Sequence, residues 1–82
     1  MVRVLLADDN ARFRGVLRRL LERDPEIVVV AEAGDGAEAL ESAAELLPDV
    51  VLMDVSMPGL DGLEATYALK AQHAAVCVLW LL

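Results

Sequence analysis

One short run constrains this chain more than any other. Val50–Met53 are four apolar residues without a polar break, closed by a lone carboxylate, Asp54, and followed at once by the turn-rich VSMPGLDG. A half-exposed strand alternates apolar and polar residues; this run does not. It reads as a strand buried on both faces, as in a parallel sheet. Strands of that kind deliver ligand-binding and reactive groups at their carboxyl ends, where the chain leaves the core. Asp54 stands at that point, either as a cap for the following turn or as a reactive group at the lip of a crevice.

The rest of the chain supplies the sheet. Val2–Ala7 reads as strand one and stops at Asp8-Asp9-Asn10. Arg12–Arg23 follows with Phe13, Val16, Leu17, Leu20 and Leu21 at amphipathic-helix spacing and arginines on the other face. Those arginines read as a solvated face, with docking to an acidic partner surface as the functional alternative. Asp24-Pro25 stops the helix. Ile27–Ala33 is a β-branched strand two, and Gly34-Asp35-Gly36 makes the turn.

Asp35 and Glu38 have capping-box spacing and open a second helix, with an expected inward stripe of Ala37, Leu40, Ala43, Ala44 and Leu47. Pro48 ends it, and Val50–Asp54 is strand three. Asp61 and Glu64 repeat the capping box for a third helix over Gly62–Gln72. Val76–Leu82 is strand four, in which Cys77 reads as a small buried hydrophobe. His73 reads as a solvated loop residue.

Strands alternating with helices of about ten residues imply right-handed crossovers and an α/β fold with a parallel sheet. The simplest doubly wound order is 2-1-3-4, with a switch point between strands one and three. That order brings Asp8, Asp9 and Asp54 together. Three neighbouring carboxylates repel one another, and a cation offsets the cost. Mg²⁺ fits, since it takes oxygen ligands from one or two carboxylates, waters and a phosphate. A carboxylate beside it can attack phosphorus. The plain alternative is that Asp8 or Asp9 caps the first helix and Asp54 caps its turn.

Composition narrows the field. With 82 residues there is one domain at most, 57% of the residues are hydrophobic, and the net charge of −7 argues against direct nucleic-acid binding by this segment. One cysteine excludes a disulfide framework, which points to a reducing, cytoplasmic setting. No signal peptide is visible, and Ala74–Leu82 is too short to span a membrane.

The pieces VRVLLADDN, AEAGDGAEAL and PDVVLMDVSMPGLDGLEAT together resemble the receiver domain of two-component response regulators, along essentially the whole chain. The resemblance implies a flavodoxin-like doubly wound sheet in which Asp54 accepts phosphate from a sensor histidine kinase. It implies that Asp9 binds Mg²⁺ directly, that Asp8 assists directly or through water, and that Ser56 contributes its backbone carbonyl. Pro58, Gly59 and Gly62 would shape the loop. A Mg²⁺-dependent phosphatase of the haloacid dehalogenase type also uses an Asp after an apolar strand, but needs a second carboxylate two residues on, where this chain has Ser56.

Receiver domains normally have five strands and five helices. The expectation for residues 1–82 is therefore a receiver incomplete at its C-terminus, lacking the fifth strand and last two helices. The Ser or Thr expected at the end of strand four is replaced, with Trp80 at about that place. The Lys of strand five is missing, and Lys70 in the third helix does not substitute for it. Strand four would be an exposed apolar edge, a site of aggregation or of partner binding, including a homodimer. A degenerate receiver acting only as an interaction module is the alternative function.

Overall fold

The structure, a computed structural model, describes residues 1–57 and 59–81. Strand four's expected last residue, Leu82, and the loop-shaping role of Pro58 lie outside the described residues.

Strands β1 (Val2–Ala7), β2 (Ile27–Ala33), β3 (Val50–Asp54) and β4 (Cys77–Leu81) alternate with helices α1 (Ala11–Leu21), α2 (Gly36–Leu46) and α3 (Gly62–Gln72). All pairings are parallel and the sheet order is β2-β1-β3-β4, the expected doubly wound arrangement. The two faces are unequally covered. On one, α2 and α3 close over Leu5, Ala7, Ala33, Val51 and Met53, with Ala39, Ala43, Ala65 and Leu69 as their contact residues. Small side chains at the helix positions let the helices lie close on the sheet. The other face has α1 alone, with Leu17 and Leu21 packed on Val4, Leu6 and Val29. β3 shows the difference: Val51 and Met53 are fully buried, while Val50 and Leu52 are half-buried.

Three helix expectations need correction. α1 starts one residue earlier and is capped by Asn10, whose Oδ1 accepts the Phe13 N–H at 3.1 Å. Neither Asp8 nor Asp9 is its cap. Phe13, Val16 and Leu20 stay largely exposed, and Arg14 and Arg18 turn inward instead. A bulge in β2 is the cause. The β1–β2 register steps from Val4↔Val29 to Leu5↔Ala31, skipping Val30. One extra residue reverses the facing of everything after it, so Glu32 joins Val29 on the α1 face. There it accepts Arg14 Nε at 3.0 Å and Arg18 Nη1 at 2.8 Å.

In α2 the buried stripe is Gly36, Ala39 and Ala43, with Leu40 packed against the core; Ala37, Ala44 and Leu47 are exposed. Gly36 sets this rotation, because a Cβ there would collide with the Leu60 carbonyl. Leu47 closes the helix in the left-handed region, at φ 47°. Cys77 is exposed rather than buried. His73 is half-buried at the end of α3, with Nε2 enclosed and without a hydrogen-bond partner.

Candidate phosphoacceptor and metal site

The acidic residues meet where the topology requires. β1 runs out of the core into Asp8, whose N–H still donates to Ala33 O of β2 at 3.0 Å. Asp9 follows, exposed. β3, next to β1, ends in Asp54. One carboxylate oxygen from each of Asp8, Asp9 and Asp54 lies within 4.8 Å of the others. All three residues singled out in the sequence are thus brought together.

Two of the carboxylates are fixed by the backbone they terminate. Asp8 Oδ1 accepts the Asn10 N–H at 2.8 Å, and Asp54 Oδ1 accepts the Ser56 N–H at 2.9 Å. Both are turns in which an Asp side chain binds the N–H two residues on. Each holds one oxygen in place and leaves the other for a ligand. The Asp54 turn also brings the exposed Ser56 to the rim of the cluster, where its side chain offers no second carboxylate.

Burial pushes the Asp8 pKa above its ordinary 3.8, and the Asp54 and Asp9 charges push it further. The Asn10 N–H and the Arg14 guanidinium work against that rise. Among the described residues Asp8 is the single buried charged one, at 8% exposure. A crowded Asp8 carboxyl that resists deprotonation is what a divalent cation relieves, and an all-oxygen donor set suits Mg²⁺.

Arg14 was legible only as part of a solvated face, yet it supports the site. Its guanidinium donates to the backbone carbonyl of Asp8 and to Glu32. The missed signal was Glu32 itself, since a charge in the apolar strand IVVVAEA needs a partner. Gly62 is the other support. A Cβ at this position would drive into the Asp54 carbonyl, so the absence of a side chain lets α3 start directly under the acceptor strand.

The end of strand four lies beside the acceptor strand without a hydroxyl. Trp80 pairs with Met53, and Leu81 is level with Asp54. Trp80 points instead to α3, donating its indole N–H to Thr66 Oγ1 at 2.9 Å. Leu81 carries no hydroxyl. Lys70 Nζ donates to Ala74 O at 2.8 Å and Val76 O at 2.7 Å, at the opposite end of the sheet from the carboxylates.

A doubly wound sheet with an acidic cluster at its switch point and an Asp at the end of β3 is the architecture of a receiver domain. The response regulator receiver domain family matches residues 4–81, and the chain belongs to that family. It is 56% identical over 64 residues to a protein-glutamate methylesterase/protein-glutamine glutaminase of Carboxydothermus hydrogenoformans, covering 78% of this chain and 18% of that protein. It is 53% identical over 66 residues to the transcriptional regulatory protein LiaR of Bacillus subtilis, covering 80% of this chain and 31% of that protein. The solved response regulator domain of Thermotoga maritima CheB superposes with a TM-score of 0.91 at 42% identity, over 98% of this chain and 59% of that one. The chain thus spans less than a third of those two curated relatives, and about three fifths of the solved domain. No helix among the described residues is long and apolar enough to cross a membrane.

Proposed function

We propose that residues 1–82 are the acceptor-bearing part of a receiver domain and that Asp54 takes a phosphoryl group from the phosphohistidine of a sensor histidine kinase. The observation that carries this reading is the meeting of Asp8, Asp9 and Asp54 within 4.8 Å at the ends of two adjoining strands. The Ser56 N–H holds Asp54 Oδ1, so Oδ2 is the nucleophile. Oδ2 forms the new P–O bond as the P–N bond of the donor breaks, and the leaving imidazole keeps the electron pair and takes a proton. Asp54 becomes an acyl phosphate, and no oxidant or reductant is needed.

Asp9 and Asp54, with Asp8 and the Ser56 backbone carbonyl, are the proposed Mg²⁺ ligands. The cation, when bound, supplies positive charge against the phosphoryl oxygens. The chain's own part is positional. Asp8 and Asp54 are pinned by backbone N–H groups, Arg14 anchors the Asp8 backbone, and Gly62 keeps the floor flat. The setting proposed is the cytoplasm, and with a charge of −7 this segment makes no direct DNA contact.

The test is incubation with a small phosphodonor with and without Mg²⁺, read by intact mass. One phosphoryl adduct that requires Mg²⁺ and is absent in Asp54→Asn supports the reading; an adduct that survives Asp54→Asn removes it. The lack of a hydroxyl at Trp80 or Leu81 favours a second reading, an interaction module that receives no signal. Folded protein that takes up no phosphoryl group would select it.

A further inference from the structure

The backbone of Asp8 is gripped from two sides. Its N–H donates to Ala33 O of β2 at 3.0 Å, and its C=O, one residue past β1, accepts the Arg14 guanidinium from the start of α1. That C=O belongs to the peptide joining Asp8 to Asp9. A peptide unit is planar, so fixing its carbonyl also fixes the direction in which the Asp9 N–H and Cα leave. Arg14 therefore sets the angle at which the acidic pair after β1 is presented to Asp54.

Arg14 is itself held. Its Nε donates to Glu32 Oε1 at 3.0 Å, while Glu32 Oε2 accepts Arg18 Nη1 at 2.8 Å. Arg18 in turn donates from Nη2 to Val29 O at 3.0 Å. Both oxygens of Glu32 are thus occupied, and the bulge that skips Val30 is what brings this carboxylate to the α1 face. Arg14 is 16% exposed and Glu32 22%, so water competes weakly for these bonds. Glu32 lies in β2, on a different strand from any of the clustered carboxylates.

We infer that Arg14, oriented by Glu32, is a positioning residue for the divalent cation: it holds the Asp8–Asp9 peptide in the setting that lets both carboxylates reach one ion. This depends on the proposed function, in which Asp8 and Asp9 are cation ligands. Charge alone would give the opposite sign. A guanidinium beside the cluster repels a second cation, so its removal would tighten Mg²⁺ binding if only Coulomb forces acted. Where geometry dominates, its removal loosens binding, and outer groups that orient metal ligands typically carry about 10–100-fold in affinity.

The experiment is Mg²⁺ titration, by calorimetry, of the wild type, Arg14→Met, Glu32→Ala, the double variant and Leu17→Ala, with urea midpoints taken in chelator. Leu17 packs on Val4, Leu6 and Val29 without joining the Arg14 group, so its truncation supplies a loss of stability alone. Arg14→Met should raise the Mg²⁺ Kd about tenfold, the lower end for an outer partner. Glu32→Ala should also raise it, with no further effect in the Arg14→Met background, because Glu32 acts through Arg14. Leu17→Ala should lower the urea midpoint and keep the wild-type Kd. A readout free of metal is ¹⁵N relaxation in chelator, where the Asp9 amide should become mobile in Arg14→Met.

Should Arg14→Met fail to fold, Arg14→Lys takes its place. It keeps the charge without the planar fork, and should likewise bind Mg²⁺ more weakly. Unchanged or tighter binding on loss of the guanidinium would overturn the inference. So would a Glu32→Ala effect that persists without Arg14, or an equal weakening in Leu17→Ala. If the wild type binds Mg²⁺ and is labelled at Asp54 while Arg14→Met binds equally well, this inference falls and the proposed function stands. A folded wild type that binds no Mg²⁺ removes both.

Discussion

Gly62 lies against the backbone carbonyl of Asp54, with no room for a Cβ between them. The helix that follows the acidic turn is thereby seated on the strand that carries the acceptor. Gly62→Ala should cost about 1–3 kcal/mol, the usual range for forced overpacking, and should displace the Asp54 backbone. Chemical denaturation reads the first effect, and a lower rate of phosphodonor labelling the second. Gly59→Ala is the contrast. Gly59 has φ +72° but nothing within 4 Å, so its cost is conformational, about 1 kcal/mol.

Asp8 is placed where its charge opposes the fold. Its pKa is raised chiefly by burial and then by Asp54 and Asp9. A carboxyl that holds its proton more tightly folded than unfolded contributes stability below pH 3.8, and loses it as the pH rises through the folded value. In chelator, Asp8→Asn should therefore gain on the wild type across that window and keep its advantage at neutral pH. Urea midpoints measured at several pH values check this. The same variant should bind Mg²⁺ at least about tenfold more weakly, seen in a fluorescence or calorimetric titration. Opposite signs from one substitution separate a metal site from a set of caps.

The Arg14–Glu32–Arg18 group is a structural wager under the site. Arg14 and Glu32 are 16% and 22% exposed, so breaking the group strands partly buried charge. Glu32→Gln should destabilise by about 2 kcal/mol. Glu22→Gln loses an exposed Arg18 ion pair while its amide oxygen still accepts the Val29 N–H, and should cost less, below about 1 kcal/mol. Parallel urea melts of the two variants decide the order.

The strand order, the seven elements and the convergence of Asp8, Asp9 and Asp54 were legible because each rests on a local pattern. An unbroken apolar run, a capping box and a β/α alternation leave few topologies. What was hidden depends on single-residue events, of which only the charge of Glu32 in an apolar strand leaves a mark in the sequence. The skipped Val30 turns Glu32 to the α1 face and reverses the roles of arginines and apolar residues there. Gly36 against Leu60 turns α2 so that, of the expected stripe Ala37, Leu40, Ala43, Ala44 and Leu47, only Leu40 and Ala43 face the core.

Trp80 gives a local readout of the α3–β4 seam. Its indole N–H is held by Thr66 Oγ1, which itself donates to Gly62 O at 2.6 Å. Thr66→Val removes the acceptor from a half-exposed indole, and the loss should be small, about 1 kcal/mol. A red shift of the Trp80 emission without loss of secondary structure would show the indole released.

The proposed role of Asp54, flanked by Asp8 and Asp9, is that of a phosphate acceptor. Mg²⁺-dependent phosphorylation of the folded 82-residue chain tests it most directly, with the modified residue located by peptide mapping after borohydride trapping of the acyl phosphate. The expected result is a single modification at Asp54, lost on chelation and in Asp54→Asn. Modification at another residue, or labelling of Asp54 that is indifferent to Mg²⁺ and to Asp9→Asn, would contradict it.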